Sequence, residues 1–170
     1  MLTGCDSNPS PAPLPSESPS PSSSSPSPTA PPPTLPAAAK GTSEAAAKAF
    51  VRYWIDTLNY ATATGETNAL QNLGTADCES CKNFSDTIDE IYGAGGEVTS
   101  EGWDLRSATP VANQPRNMPI LQLSMFLHPQ TVRKTAGSAR EQLDGGRQPM
   151  TMFLLRRDDE WVVNRLDLVT

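Results

Sequence analysis

The sequence predicts an α+β domain carried behind a long non-globular N-terminal segment. Three observations lead there. Residues 1–40 hold 12 of the 17 prolines and 10 serines besides, a composition that cannot build a core. Apolar residues then recur at helical spacing from Phe50 to Ile91. From Ile120 onward the period changes to the alternation of strands. The stretch 43–170 is long enough for one packed core. Helices followed by antiparallel strands imply N-terminal helices packed on a curved antiparallel sheet.

The first helix starts at a Thr42 or Ser43 cap, with Glu44 to Ala47 opening it. Phe50, Trp54, Leu58 and Ala61 form its apolar stripe, widened by Val51 and Ile55. Lys48, Arg52, Asp56 and Asn59 form the other face, and Gly65 ends the helix. Thr67 to Leu73 reads as a short helix or turn closed by Gly74. A third helix runs to Tyr92 and buries Phe84, Ile88 and Ile91, and Gly93, Gly95 and Gly96 stop it. A weak strand includes Val98 or Trp103–Leu105. Ile120 to Leu127 is a strand ended by Pro129. Met150–Leu155 and Trp161–Leu168 form a hairpin around the charged turn Arg156–Glu160. In its second strand Trp161, Val163 and Arg165 point one way, and Val162 and Leu166 the other. Arg133-Lys134 opens a polar stretch to Arg147 that reads as a mobile loop or a partner-binding surface.

Residues 6–40 read as a disordered Ser/Pro-rich linker. Each proline fixes one dihedral and removes a donor, so the chain is extended and partly polyproline II in character. Its 35 residues span roughly 60–100 Å at a rise of ~3.1 Å per residue. Leu2-Thr3-Gly4-Cys5 resembles the lipobox of bacterial lipoproteins. That resemblance implies a diacylglycerol on Cys5, with residues 1–5 the remnant of a signal peptide. It places the protein on the extracellular face of the cytoplasmic membrane, with membrane lipid as its partner through Cys5. Only four residues precede Cys5, short of the 7–15 apolar residues a signal peptide needs. Either the true start lies upstream, or Met1 is the start and Cys5 an ordinary cytosolic cysteine.

Cys78 and Cys81 have three chemical uses: a redox dithiol, half a metal site, or a structural disulfide. A metal needs two further ligands, and only Cys5 and His128 remain. A redox pair needs a stabilised thiolate, which Asp77 and Glu79 oppose, and no βαβ context precedes it. A disulfide in an oxidising compartment is the favoured reading. A reduced pair in a cytosolic protein is its counterpart.

Phe50-Val51-Arg52-Tyr53-Trp54, Leu58-Asn59-Tyr60-Ala61, Thr64-Gly65-Glu66, Leu70, Leu73, Cys78-x-x-Cys81 and Gly95-Gly96 together resemble a family of uncharacterised actinobacterial lipoproteins, a domain-of-unknown-function family. The resemblance covers about 43–170 and is strongest up to residue 96. It implies an NTF2-like, or cystatin-like, cone, with helices packed into the concavity of a bent antiparallel sheet. It also implies a lipobox and a stalk. It supplies no activity.

A cone of this shape encloses a pocket between sheet and long helix, which Tyr53, Trp54, Trp103, Phe126 and Phe153, with Met125 and Met152, are placed to line. The same side chains serve equally as plain core. Asp56 and His128 are the one candidate acid–base pair. The net charge of -6 opposes a nucleic-acid partner, and the sequence implies neither a metal nor a cofactor. Two functions follow. One is a non-catalytic, membrane-anchored domain binding a small ligand, a wall component or a protein. The other is a small exported enzyme, which requires two convergent ionisable groups in the pocket.

Overall fold

A computed structural model describes Met1 and residues 31–169. Cys5 and the linker through residue 30 lie outside the described residues. Packing begins ahead of residue 43: a 3-10 turn at Ala37–Ala39 buries Ala39 against the domain. Arg156, stacked 5.3 Å above the Trp161 ring, donates to the Gly41 carbonyl at 2.6 Å.

Helix α1 spans Glu44–Thr64. Ser43 caps it by accepting from Ala46 N–H at 3.1 Å, which satisfies one of the four donors a helix start leaves free. Gly65 ends it in the left-handed region, φ 79°. A side chain there would meet the Tyr92 ring at 2.5 Å, so close packing as well as conformation requires glycine. Phe50, Val51, Trp54, Ile55, Leu58 and Ala61 are buried as their spacing predicts. Helix α2 is one turn, Asn68–Asn72, anchored by Leu70. Helix α3 spans Glu79–Gly93. It fully buries Ile88 and leaves Phe84 and Ile91 half exposed.

Seven strands follow: β1 Gly95–Ser100, β2 Trp103–Pro110, β3 Ile120–Leu127, β4 Gln130–Thr135, β5 Arg140–Leu143, β6 Gly146–Arg157 and β7 Glu160–Leu168. They pair as β1-β4-β5 and β2-β3-β6-β7, antiparallel throughout. Three long strands are each broken once, at Glu101–Gly102, His128–Pro129 and Asp144–Gly145. The breaks lie side by side. His128 N–H donates to Gly102 O at 3.0 Å, and a Cβ on Gly145 would lie 2.2 Å from Leu127 O. The two sheets therefore adjoin along one fold line, as the two halves of a bent antiparallel layer, and α1 and α3 pack against both halves. Leu121, Leu123 and Met125 of β3, Met150, Met152 and Leu154 of β6, and Trp161, Val163 and Leu166 of β7 face α1 and α3 as the core. Each large side chain buried this way contributes about 1.5–3 kcal/mol. The indole N–H groups of Trp54 and Trp161 are buried without an acceptor among the described residues, a cost of about 1–3 kcal/mol each.

Two expectations need correction. The polar stretch 133–147 is a hairpin, β4–β5, closed by a turn in which Ser138 N–H donates to Thr135 O. Val132 is its sole buried residue, so its alternation has almost no hydrophobic signal. In β7, the register shifts so that Phe153 opposes Arg165 while Leu154 opposes Val163. The extra residue, Asn164, is a bulge. It puts Leu166 on the core side with Trp161 and Val163, and leaves Arg165 in solvent. The turn between β6 and β7 is two residues, Asp158 and Asp159, both at positive φ, the geometry that matches strand twist in a tight hairpin.

Candidate functional site

The half-exposed side chains of α3 point to the site. Phe84, Ile88 and Ile91 recur at i, i+4 and i+7, so they share one helix face. That face lies over the concave side of the bent sheet without closing on it. Between them is a cleft of about 450 Å3. Its sheet wall is Trp103 and Leu127 above the fold line, and Val98 and Val132 below it. Leu58 of α1 forms part of the wall. At the mouth stand Leu143 and Leu168, 40% and 54% exposed, two of the few large apolar residues the domain leaves in water. Ser80, Asn83 and Thr87 form the polar rim along α3. Among the described residues Lys134 is the one charged side chain in the lining; it pairs with Glu141 at 3.0 Å, both exposed.

Two features fix the elements on either side of the cleft. Asn59 of α1 reaches the first residue of β2: its Nδ2 donates to Trp103 O at 3.0 Å, and Trp103 N–H donates to its Oδ1 at 2.8 Å. The amide acts as a strand partner and fixes Trp103 where the sheet bends. Across the cleft, Cys78 and Cys81 form a disulfide at the start of α3, and Cys78 Sγ accepts from Cys81 N–H at 3.3 Å. Beside it the chain from Leu73 to Thr75 runs along β7: Val163 N–H donates to Leu73 O at 2.7 Å and Thr75 N–H to Val163 O at 2.9 Å. This covers the β7 edge and anchors α3. The edge of β5 carries no such cover among the described residues.

The aromatic residues expected to line a pocket separate. Trp103 lines the cleft, edge-on to Phe84 with centroids 6.2 Å apart. Trp54 lies behind Phe84, at 6.0 Å, fully buried in the core. Tyr53 is half-buried against the same core. Met125 and Met152 are core. Phe126 and Phe153 stand on the opposite face of the sheet, beneath the guanidinium groups of Arg106 and Arg165 at 5.3 and 4.7 Å. Alternation explains this: each is one residue from a buried methionine, so each faces away from the helices.

Asp56 and His128 are not brought together. Asp56 lies on the outer face of α1, in a shallow hollow with Arg52, Asp104 and Arg106. Partial desolvation raises its carboxyl above the ordinary value, and Arg52 offsets part of this. His128 sits on the fold line with Nε2 3.0 Å from Asp104 and Nδ1 3.0 Å from Glu101. Its hydrogen bond, helped by Arg106 at 3.1 Å, lowers the Asp104 carboxyl. This cluster is on the outside of the bend and pins it; it does not face the cleft. Among the described residues no group of three or more histidine, cysteine or carboxylate side chains is placed to hold a metal ion. A larger hollow, about 740 Å3, lies between the start of α1 and residues 110–119, but loop backbone and prolines make most of its wall.

Helical spacing marks Phe84, Ile88 and Ile91 as one face but reads all three as buried; the structure buries Ile88 and leaves Phe84 and Ile91 half exposed in the cleft wall. Sequence patterning does not name Leu143, marks Lys134 only as the start of a polar loop or partner-binding stretch, and marks Asn59 only as part of the helix's polar face. Lys134 and Leu143 lie on strands without a periodic pattern, and Asn59 is a polar residue on a face that reads as solvated.

Comparison with curated proteins finds none that matches. Among solved structures, the intermembrane space region of the chloroplast protein ARC6 is similar at a TM-score of 0.51 and 12% identity, over 73% of this chain and 94% of that one. At that identity the likeness concerns the fold alone. Two looser likenesses are a putative calcium/calmodulin-dependent kinase II association domain from Exiguobacterium sibiricum and an uncharacterised protein with a cystatin-like fold from Caulobacter vibrioides. The first has a TM-score of 0.47 and 11% identity, over 76% of this chain and 96% of that one. The second has a TM-score of 0.46 and 9% identity, over 71% and 87%. Residues 20–166 match the model of a family of unknown function, DUF6318, and the chain belongs to that family.

Proposed function

We propose that this protein is a non-catalytic, NTF2-like binding domain held on the outer face of a cytoplasmic membrane by a lipid on Cys5 and the Ser/Pro-rich stalk. Its cleft beneath α3 takes up an apolar ligand or an apolar segment of a partner. The observation that carries this reading is the continuity of the cleft wall, Phe84, Ile91 and Leu127, with exposed Leu143 and Leu168 at its mouth. Apolar surface left half open beside a preformed cavity is what a binding site retains and a finished core removes. The alternative, a small exported enzyme, requires two convergent ionisable groups in the cavity; among the described residues Lys134 is the one ionisable side chain in its lining, and its partner Glu141 is exposed outside it.

The cleft is tested with Nile red, an uncharged apolar dye. Saturable binding at one site is expected, weakened about tenfold by Leu143→Glu with the thermal midpoint unchanged, since Leu143 is exposed. Dye binding indifferent to that substitution would overturn the site. The anchor is tested separately by mass spectrometry of the N-terminal peptide from membranes, after expression with the native upstream DNA. A diacylglyceryl adduct on Cys5 is expected. An unmodified chain beginning at Met1 in the soluble fraction refutes the tether.

A further inference from the structure

We infer that the occupant of the α3 cleft is a single-chain amphiphile with an anionic head, its tail lying along α3 and its carboxylate at Lys134. This rests on the cleft reading above and names the ligand class.

The cleft follows α3 from Ser80 to Ile91, which at 1.5 Å per residue makes it about 16 Å long. Over that length its floor is hydrocarbon and aromatic: Phe84, Ile88 and Ile91 on the helix, Trp103, Leu127 and Val132 on the sheet. An apolar trough of that length fits an extended alkyl chain. Its polar groups are arranged asymmetrically. Ser80, Asn83 and Thr87 are uncharged and sit on the outer edge of α3. Among the described residues the only formal charge in the lining is the Lys134 ammonium. It lies on the inward row of β4 with Gln130 and Val132, near the end of α3, where Ala136 N–H meets Ala94 O at 3.0 Å. Among the described residues no carboxylate is part of the cleft lining, although the chain as a whole carries a net charge of -6; the carboxylate beside it is Glu141, opposite Val132 on the same face, which pairs with Lys134 at 3.0 Å. A cation at one end of an otherwise uncharged trough, in an acidic protein, is complementary to a chain with one anionic terminus.

Lys134 is available for that role. Its pairing with Glu141 is exposed on both sides, so it is weak and exchangeable. Glu141 lies on β5, opposite Val132 in register, and can release the ammonium without disturbing the ladder. The exposed Leu143 and Leu168 at the mouth would be covered by the tail. An extended apolar peptide is the competing occupant, because β5 is a bare edge. However, two of the four β5 residues, Arg140 and Glu141, are charged, and charged side chains on a short edge strand are a device against strand addition.

The test is calorimetric titration of the full 170-residue chain with decanoate and with decanol, both below aggregation, in wild type and in Lys134→Gln. Decanoate is expected to bind saturably at one site, about fivefold tighter than decanol, as an exposed charge pair supplies. Lys134→Gln is expected to erase that preference and to leave decanol affinity unchanged. Lys134 is exposed, so the variant folds; circular dichroism and the thermal midpoint check this. Equal affinity for acid and alcohol in wild type, or a preference surviving in Lys134→Gln, overturns the assignment. So does saturable binding of a short apolar β-forming peptide without binding of decanoate. If Nile red occupies the cleft while decanoate does not, the amphiphile fails and the cleft stands; if neither binds, both fail.

Discussion

Asn59 and Gly102 form a coupled pair whose energetics follow from three distances. Asn59 exchanges two hydrogen bonds with the Trp103 backbone at 2.8 and 3.0 Å. Gly102 sits at φ 87°, and a Cβ there would stand 2.5 Å from Asn59 Oδ1. Asn59→Ala removes two partly buried hydrogen bonds and should cost about 2 kcal/mol. Gly102→Ala should cost about 3 kcal/mol: ~1 for the left-handed backbone, and ~2 for pushing the amide off Trp103. In the double variant the amide is already gone, so only the backbone cost is added. The total should again be about 3 kcal/mol, and the coupling about 2 kcal/mol away from additivity. For a domain of this size Asn59→Ala alone should lower the thermal midpoint by roughly 6–10 °C. The assay is equilibrium urea unfolding of wild type, both single variants and the double variant, followed by tryptophan fluorescence, with midpoints compared at a common slope. Losses that add to within about 0.5 kcal/mol would refute the claim that Asn59 is the reason position 102 admits no side chain. They would also remove the proposed pin on the sheet's bend.

Two further outcomes are expected. The Cys78–Cys81 disulfide closes a loop of sequence separation 3, so replacing both cysteines by serine should cost about 2 kcal/mol. Serine preserves the cap on α3, reductant should destabilise wild type by the same amount, and the double-serine variant should be indifferent to reductant; a reductant-insensitive wild type would sink this. Glu97 on β1 is held below the ordinary carboxylate range, chiefly by Arg140 at 2.8 Å and then by Arg133. A lowered folded-state value means its contribution is present above the ordinary carboxylate pKa and is lost as pH falls through the lowered one. The stability difference between wild type and Glu97→Gln should therefore be seen at neutral pH and vanish in acid, in thermal midpoints measured from neutral to about pH 3; a difference unchanged across that range contradicts the pairing.

The strong periodic signals were legible without coordinates. The α1 stripe, its start at Thr42 or Ser43 and its end at Gly65, the order of the helices and the β6–β7 hairpin follow from local rules: apolar residues at 3.6 or 2.0 spacing, a capping hydroxyl, a glycine free to take positive φ, a tight charged turn. So does the N-terminal composition. The expected α+β class holds for the same reason, since element order alone constrains how helices and strands can share a core. Other features depended on residues far apart in the chain. The β4–β5 hairpin has one buried side chain, Val132, and is stabilised by pairing to β1, which no local pattern reports. The Asn164 bulge reverses the facing of Leu166 because a register is set by two strands together. Phe126 and Phe153 are indistinguishable from core aromatics by composition, and only the sheet's sidedness places them outside. His128 meets Glu101 and Asp104 in place of Asp56, because the fold line brings three strand breaks together. Composition, periodicity and caps thus belong to the sequence alone, since each is an energy paid between near neighbours. The bend, the cleft, and which side chains share it were decided by tertiary structure, because they arise from contacts between strands and helices whose residues are tens of positions apart.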